Sequence, residues 1–421
     1  MLVSLNKIFL FIIFLLPPML ITGPAIPDII ITLSAIFFLI QYIFYDTRSN
    51  YSLKKYPIWL LVGIIFYFGS NISSIFAYDN VGHSLSSSLP YIRFIIFSFL
   101  IIYFILKIPL NYFIIVNIIG LSIFLVSIDI CFQFFYGYDV FGFPSTPERN
   151  AGPFGDELKG GSYISKLYIP VFSVFYYFSL THKIYKKICI ILFLTCFMGI
   201  FLSGERAAII LFLFSNIVFL FLVYLSDLKK YIVILSSIFI TLLMTSNFFL
   251  SDKFKDRYFV TTLNEISSIN NIINSHYGAH YLTAYNIFLD YPLTGVGQNN
   301  FRNICSHEKY SKLKSARIND RCSTHPHNYF IQILSDLGFI NFIIFLVLIF
   351  SFFYEILKSR RDTHKIIFYG KIIGLIVIFW PLLPTGSFYN NWLSCVNWLI
   401  ISISICKMNK DYTDKLLSFL K

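Results

Sequence analysis

The stretch "THPHNYFIQILSDLGFIN" (residues 324–341) places two histidines around a proline and then enters an apolar run that continues to residue 357. Residues 328–357 are long and apolar enough to cross a lipid bilayer as a helix. The composition of the whole chain agrees with this, because 57% of its 421 residues are hydrophobic and only 13% are charged. These values exclude an ordinary soluble domain and predict a membrane protein.

Apolar runs of similar length recur along the chain, so we predict an all-α polytopic membrane protein. Residues 1–421 form one membrane domain, and residues 251–327 form one large, helical loop within it. About twelve transmembrane helices are predicted, at residues 6–23, 27–45, 57–73, 91–107, 110–135, 163–180, 188–203, 207–226, 231–250, 328–357, 366–384 and 392–407. The first run could instead be a cleaved signal sequence, although it has no clear small-x-small cleavage site.

The basic residues of the predicted loops set the orientation of these helices. Eighteen Lys and Arg residues fall in alternate loops counted from the N-terminus, whereas the opposite short loops hold only Arg149, Lys159 and Arg206. Basic residues concentrate on the cytoplasmic side, so both termini should be cytoplasmic and the 251–327 loop should lie outside. This topology accounts for the net charge of +12. We expect the lipid bilayer and no nucleic acid as a partner.

His327 and Asn328 end the large loop and begin the tenth predicted span. Pro326 suits the first turn of a helix, which would place His327 in that turn beside the positive end of the helix dipole. The dipole favours a neutral imidazole and attracts anions, as a general base for a hydroxyl group requires. The alternative is a polar cluster that only caps the helix at the membrane interface.

Two arginines near the outer ends of spans are candidate anion ligands. Arg206 follows Glu205 in "SGERAAII" (203–210), where small residues allow close helix packing. A cation at that position must face a cavity, form an ion pair or bind an anion. The structural alternative is an ion pair with Glu205. Arg93, near the outer end of the fourth span, is either a second phosphate ligand or a side chain that extends to the interface.

Gly295 and Gly297 lie in "YPLTGVGQNNFRNIC" (291–305), which we interpret as a tight turn that ends an amphipathic helix at 278–290. A nucleotide-binding loop is disfavoured, because there is no third glycine and no strand–helix context. A second glycine-rich outer loop, "NAGPFGDELKGGSY" (150–163), is either a re-entrant segment or, as we expect, a plain loop with some substrate contact.

Cys305 and Cys322 lie in the same outer loop with sixteen residues between them. We expect them to form a disulfide, because an outer loop lies in an oxidising compartment in a Gram-negative bacterium. The rival interpretation is a metal site that includes His307, His325 and His327, but no recognised ligand spacing is present. No metal and no other cofactor is predicted.

These motifs resemble the O-antigen ligase family of lipopolysaccharide assembly, which shares its core pattern with the O-antigen polymerases. His327 and Asn328, nine further residues and then Gly338 fit the pattern of the ligases. Residues 203–207 are similar to the family's Ser-Gly-x-Arg-Ala element, and residues 292–301 to its Pro-Leu-x-Gly-x-Gly turn. The resemblance covers most of the chain and is strongest over 150–341.

The resemblance implies an inverting glycosyl transfer at the periplasmic face of a bacterial inner membrane, without metal or nucleotide. The donor is a glycan linked to undecaprenyl diphosphate, and for a ligase the acceptor is a sugar hydroxyl of lipid A-core. His327 would be the base that deprotonates the acceptor. Arg206 would hold the donor diphosphate, since a guanidinium binds phosphate oxygens bidentately and stays charged.

The chain departs from the family pattern in two places. Asn341 stands where the family pattern has a small residue shortly after the glycine that corresponds to Gly338. Ligases also carry a second essential arginine shortly before the Pro-Leu-x-Gly turn, but "NSHYGAHYLTAYN" (274–286) has His276 and His280 and no arginine. Either His280 takes this role, or one of the arginines elsewhere in the loop does so: Arg257, Arg302, Arg317 or Arg321.

Three other functions stay open at this point. An O-antigen polymerase would use the same donor with a second lipid-linked glycan as acceptor, although the His-Asn-x9-Gly pattern favours the ligase. An oligosaccharyltransferase acting on glycoproteins would have a related architecture. A secondary transporter would place ionisable residues near the bilayer midplane, where the predicted spans carry little apart from Asp129. No oligomeric state is predicted.

Overall fold

A computed structural model of the chain describes residues 2–46, 56–146, 148–225 and 256–408. Within these ranges the chain is mainly helical and contains no β-strand, only an isolated bridge between Tyr138 and Pro144. The all-α prediction is therefore confirmed for this part of the chain. The span predicted at 231–250 and the side chain of Arg257 lie outside the described residues.

The helices are numbered along the described residues. The first group comes before the large loop and consists of α1 (Leu2–Met19), α2 (Ala25–Gln41), α3 (Ile58–Ile75), α4 (Val81–Ser88), α5 (Ile92–Ile101), α6 (Pro109–Tyr136), α7 (Gly160–Ser179), α8 (Lys183–Leu202) and α9 (Arg206–Val223). The large loop contains α10 (Thr262–Ile266), α11 (Ile269–Ile273), α12 (His276–Asp290), α13 (Phe301–Ile304) and α14 (Glu308–Ser311). Three long helices follow it, α15 (Tyr329–Lys358), α16 (Lys365–Ile378) and α17 (Asn391–Ile405).

Seven helices of the described residues are long and apolar enough to cross a membrane: Ala25–Phe44, Ile58–Ile75, Val81–Leu106, Pro109–Tyr136, Lys183–Leu202, Arg206–Val223 and Tyr329–Lys358. Each corresponds to a predicted span. The runs predicted at 6–23 and 392–407 form shorter apolar helices, and α7 and α16 are not among the seven. A polytopic membrane protein is thus supported, while the count of twelve and the orientation stay predictions.

Helix α7 occupies the centre of the bundle, where it packs against α6, α8, α9, α16 and α17. It is buried on nearly every side, as is typical of a helix enclosed by other helices. Its contact with α16 is close, because a Cβ at Gly370 or Gly374 would collide with Ser173 or Pro170 of α7. The first two turns of α7 reach the end of the bundle that carries the candidate site.

Helix α15 is broken at Gly338, which has φ 76° and ψ 179°. The break frees backbone carbonyls, and the turn at 292–301 binds them: Val296 N–H donates to Ser335 O (3.1 Å) and Gly297 N–H to Asp336 O (2.8 Å). The N–H of Phe339 donates in return to Pro292 O (2.8 Å). The turn therefore replaces the helical hydrogen bonds that the break removes.

We call the contact between residues 292–301 and 335–339 the glycine junction. Two backbones approach so closely there that only glycine fits at two positions. A Cβ at Gly338 would collide with the Leu293 carbonyl, and one at Gly295 with the Asp336 carbonyl. The buried carboxylate of Asp336 completes the junction by accepting the N–H groups of Asn299 (3.1 Å) and Phe301 (3.1 Å). The tight-turn interpretation of this motif agrees with these contacts.

The described part of the large loop packs over one end of the bundle. Its longest helix, α12, begins at His276 rather than at the predicted residue 278, because the Ser275 hydroxyl caps it by accepting Gly278 N–H (3.0 Å). A disulfide joins Cys305 and Cys322, whose Cα atoms are 5.3 Å apart. This bond ties α13 to the segment that leads directly to His327.

Candidate functional site

A cavity of about 940 Å³ lies at the end of the bundle that the large loop covers. Its walls come from the first turns of α7 and α9, from α10 to α12, from residues 324–327 and from the 382–393 segment before and in α17. Five of its lining residues are cations (Arg149, Lys159, Lys166, Arg206 and Arg302), whereas two are carboxylates (Glu205 and Glu265). The excess of positive charge suits an anionic ligand.

Arg206 is the first residue of α9, and its side chain lines the cavity. Its Nη1 lies 3.0 Å from Glu265 Oε2 and 3.1 Å from Thr262 Oγ1, both on α10. The ion pair with Glu205 that we considered from the sequence is therefore replaced by a pair with Glu265. Arg206 and Glu265 are 59 residues apart in sequence, so the periodicity of the sequence could not indicate this partner.

Glu205 has a structural task next to Arg206. Its carboxylate oxygens accept the backbone N–H groups of Gly161 (2.7 Å) and Ser162 (3.1 Å). These are orphan donors in the first turn of α7, which a carboxylate satisfies in the manner of a helix cap. Glu205 thus fixes the start of α7 against the start of α9, and both ends face the cavity.

Arg149 lines the cavity beside this turn, although the sequence analysis did not assign it to the site. Its side chain contacts Gly204, where a Cβ would meet the Arg149 Cγ at 3.1 Å, and its buried Nε has no hydrogen-bond partner among the described residues. A signal for it existed in the charge distribution. Arg149, Lys159 and Arg206 are the three basic residues that break the charge asymmetry of the short loops, and all three line the cavity.

His327 is not in the first turn of a helix, so the predicted orientation by the helix is wrong. It has a left-handed backbone with φ 57°, and α15 begins two residues later at Tyr329. Asn328 is the cap, since its Oδ1 accepts Phe330 N–H (3.0 Å) and Ile331 N–H (3.3 Å). A hydrogen bond from a distant segment stabilises this left-handed conformation, because Thr385 N–H donates to His327 O (2.8 Å).

Both His325 and His327 line the cavity, with ring centroids 4.1 Å apart. The ring of His325 is engaged on both sides, by Thr324 Oγ1 at 2.9 Å from Nδ1 and by Thr385 O at 3.3 Å from Nε2. The Nε2 of His327 lies 3.1 Å from Ser323 Oγ. His327 therefore keeps more of its ring available to a ligand than His325 does.

Burial, followed by the neighbouring His325, lowers the pKa of His327 to about 3. Burial likewise lowers the pKa of His325 to about 4. Both imidazoles are therefore neutral at neutral pH, which a general base requires. The neutral state was expected from the sequence, but its cause is desolvation and the adjacent histidines rather than a helix dipole.

His280 does not line the cavity as a diphosphate ligand would. It is fully buried behind His327, with the two ring centroids 5.2 Å apart, and its other neighbour is His276 at 4.6 Å. Burial, and next His327, lowers the pKa of His280 to about 4. The structure therefore places His280 as a neutral support for His327.

Of the loop arginines whose side chains the structure describes, only Arg302 lines the cavity. It lies in α13, its Nη2 donates to Asn299 Oδ1 (3.0 Å), and its side chain lines the cavity. The loop arginines Arg317 and Arg321 are engaged elsewhere, the first with Asp320 and the second with the carbonyls of Cys305 and Ser306. Arg302 therefore remains the candidate for the second arginine of the family, whereas Arg317 and Arg321 do not.

Arg93 is not among the cavity residues. Its guanidinium is paired with Asp28 at 2.7 Å and also donates to Pro90 O (3.1 Å) and Asn391 Oδ1 (3.2 Å). These contacts tie α5 to α2 and to the start of α17. Arg93 thus connects helices, and neither the predicted phosphate contact nor an extension to the interface is observed.

The segment from residue 191 to residue 346 matches the family model described as O-Antigen ligase. The resemblance to the O-antigen ligase family is confirmed over these residues. A search of the curated proteins found no match to the chain.

The matched segment contains Arg206, Arg302 and His327, together with the glycine junction. The match supports a function of the O-antigen ligase or polymerase type, which is that of a glycan-transferring enzyme. It also agrees with the apolar helices in indicating a multi-pass membrane protein. Three of the five cavity cations, Arg149, Lys159 and Lys166, lie outside the matched residues.

Proposed function

We propose that the protein transfers an O-antigen glycan from an undecaprenyl-diphosphate carrier to a sugar hydroxyl of lipid A-core. The observation that carries this proposal is the shared cavity of a neutral histidine, His327, and a group of cations. A base and an anion site are the two elements that glycosyl transfer from a lipid diphosphate requires. The match to the O-antigen ligase family supports the same reaction class.

In this reaction the acceptor hydroxyl gives its proton to His327 while its oxygen attacks the anomeric carbon of the donor glycan. The bond from that carbon to the phosphate oxygen breaks, and the lipid diphosphate leaves with the bonding electron pair. The anomeric configuration inverts in this single displacement. Arg206 and Arg302 would neutralise the charge that grows on the leaving group, as fixed cations do in other transfer reactions.

The rim of the cavity supports a substrate that is carried by a lipid. Ile266 and Leu382 both line the cavity, and their side chains are 61% and 78% exposed. Large apolar side chains at the mouth of a cation-lined cavity suit a ligand with an apolar tail and an anionic head. The charge distribution of the short loops supports a periplasmic mouth in the inner membrane, with cytoplasmic termini.

The main alternative is an O-antigen polymerase, in which a second lipid-linked glycan would be the acceptor. It is favoured by the same family match and needs the same base and the same cations. A deletion strain distinguishes the two functions by the lipopolysaccharide profile on a gel. We expect no ladder and an accumulated lipid-linked polymer; a band with a single repeat unit would instead identify a polymerase.

A matched pair of arginine variants tests the cavity itself. Arg206 and Arg93 are both partly buried and each pairs with one carboxylate, but only Arg206 lines the cavity. In vesicles supplied with a lipid-diphosphate-linked glycan and acceptor, we expect Arg206→Ala to lower transfer by about 10²-fold or more. Arg93→Ala should leave transfer by the folded protein near wild type. Equal activities of the two variants would contradict the assignment.

A further inference from the structure

The cavity-facing side of α7 carries a line of polar residues. Lys159 immediately precedes the helix, and Ser162, Ser165 and Lys166 follow within its first two turns. All four line the cavity. Their spacing of three or four residues puts them on one side of the helix. The reaction steps proposed above assign no role to these four residues.

Lys166 is the most unusual member of this line, because it is a buried ammonium without a counter-charge. Its residue surface is 4% exposed, and its Nζ lies 5.8 Å from the centre of the Tyr329 ring. No hydrogen bond or ion pair with another described residue satisfies it. An isolated buried charge is costly unless something neutralises it, so its presence in a cavity wall indicates an anionic ligand.

Lys371 provides the comparison within the same bundle. It is a buried lysine too, 1% exposed, but its Nζ donates to the carbonyl oxygen of Cys406, and it does not line the cavity. A buried lysine with a structural task therefore has a protein acceptor in this molecule. Lys166 has the cavity in place of such an acceptor.

Lys166 also lies deeper than the other cations of this wall. Lys159 is the residue before α7 and Arg206 is the first residue of α9, whereas Lys166 comes seven residues after Lys159. At 1.5 Å of rise per residue, its Cα is about 10 Å further along the helix. A flexible lysine side chain can extend back toward the cavity mouth from that depth.

We propose that Lys166, with the hydroxyls of Ser162 and Ser165, binds the phosphate nearest to the lipid in a polyprenyl diphosphate. This inference rests on the proposed function, in which such a lipid is the donor. The lipid tail stays in the bilayer, so the phosphate esterified to it reaches deeper than the phosphate that bears the sugar. Arg206, at the mouth, then meets the sugar-bearing phosphate, and Lys166 meets the other one.

The test measures binding rather than transfer, with purified protein and glycan-free lipids. The variants are Lys166→Met and Lys166→Gln, and the ligands are polyprenyl diphosphate, polyprenyl monophosphate, inorganic pyrophosphate and phosphatidylglycerol vesicles. We expect both variants to bind the diphosphate and the monophosphate about tenfold or more weakly than wild type. Inorganic pyrophosphate and phosphatidylglycerol should bind weakly to all proteins.

The melting temperature of the ligand-free protein supplies a readout that a structural lysine would not give. Loss of an unpaired buried charge should leave it unchanged or raise it, so stability and affinity should move in opposite directions. Lys371→Met is the control, which should lower the melting temperature and leave the affinity of the folded protein unchanged. A lower melting temperature for both Lys166 variants would overturn the inference.

The remaining outcomes separate this inference from the proposed function. If wild type and both Lys166 variants bind polyprenyl diphosphate equally, Lys166 is not a ligand, while the proposed function stands. If wild type binds neither polyprenyl phosphate nor polyprenyl diphosphate, both proposals fail. If phosphatidylglycerol binds as tightly as the monophosphate and loses as much affinity in the variants, the site is a general phospholipid site and the inference is wrong.

Discussion

The glycine junction and the cavity wall both contain residues of the sequence motifs, but they differ in whether their polar groups are hydrogen-bonded within the protein. In the junction, the turn at 292–301 and the broken helix at 335–339 satisfy one another, and the buried Asp336 accepts two backbone N–H groups. In the cavity wall, the Nε of Arg149 has no hydrogen-bond partner among the described residues, and Lys166 is buried beside the cavity.

This difference separates residues that build the protein from those that can bind a ligand. A buried polar group that is satisfied within the protein contributes to the fold, whereas one that faces a cavity without a partner is open to a substrate. By this criterion Gly295, Gly338 and Asn328 belong to the scaffold. Arg149 and Lys166 meet the second condition, whereas His327, Arg206 and Arg302 line the cavity with some of their polar atoms already hydrogen-bonded. Variants in the two regions should therefore fail in different ways.

Gly338→Ala should have the largest effect on the fold. The backbone at φ 76° and ψ 179° excludes a side chain, and a Cβ there would collide with the Leu293 carbonyl. We expect a loss of about 4 kcal/mol or more in stability, measured as a melting temperature in detergent, and no transfer.

Gly142→Ala is the matched control for Gly338→Ala. Gly142 also has a positive φ (89°), but nothing lies within 4 Å of a Cβ built there. The stability of Gly142→Ala should fall only by the strain of a left-handed backbone at a residue with a Cβ, about 1–2 kcal/mol. If both variants melt at the same temperature, backbone strain alone explains Gly338, and the junction has no special role.

His327→Ala should act on chemistry and leave the fold intact. Loss of a positioned base lowers the rate by about 10²–10⁴-fold, while binding of the donor should persist. His325→Ala should keep most activity, because both of its ring nitrogens are already engaged with Thr324 and Thr385. Turnover assays on the two purified variants decide between them. An active His327→Ala beside an inactive His325→Ala would reverse the assignment, and two active variants would remove base catalysis.

The disulfide should have an intermediate effect. Cys305→Ser with Cys322→Ser opens a loop that spans 17 positions, and loop-closure entropy sets the stabilisation at about 3 kcal/mol. We expect a lower melting temperature and weaker transfer, because the bond lies next to residues 323–327. Mass spectrometry of non-reduced peptides should find the two cysteines joined and Cys131 alkylated. Free alkylation of Cys305 and Cys322 would refute the pairing.

A change of pH should alter the stability of the protein rather than its rate of transfer. The pKa values of His280, His325 and His327 are about 4, 4 and 3, against about 6.5 in an unfolded chain. The unfolded chain therefore binds more protons, so stability falls as pH is lowered from about 6.5 to about 4. The base stays neutral, so the rate constant should be flat between about pH 5 and pH 7.

Melting curves at pH 7.5 and pH 5 check this linkage. The melting temperature of His280→Gln should change less between the two pH values than that of wild type, since the variant lacks one histidine with a lowered pKa. An equal difference in the two proteins would show that burial of His280 does not contribute to the acid sensitivity.

Much of the molecule follows from the sequence alone. Long apolar runs require helices in a bilayer, because every backbone polar group must be satisfied within its own segment. The spacing of His327, Asn328 and Gly338 indicated the family, and the three basic residues of the loops with few charges all line the cavity. These features are local, so periodicity, spacing and charge counts can detect them.

Only the tertiary structure decided which groups face one another. Apolar helices have no polar side that would reveal their neighbours, so the sequence could not pair Arg206 with Glu265 or bring Gly295 against Gly338. It also could not predict that Asn328 caps α15 and leaves His327 outside the helix with a left-handed backbone. In the sequence, Lys166 is a single charge within an apolar run. Its role as a ligand can be inferred only from the cavity that distant segments form around it. Burial and partners are properties of the packed molecule, because they depend on contacts between residues that are remote in the chain.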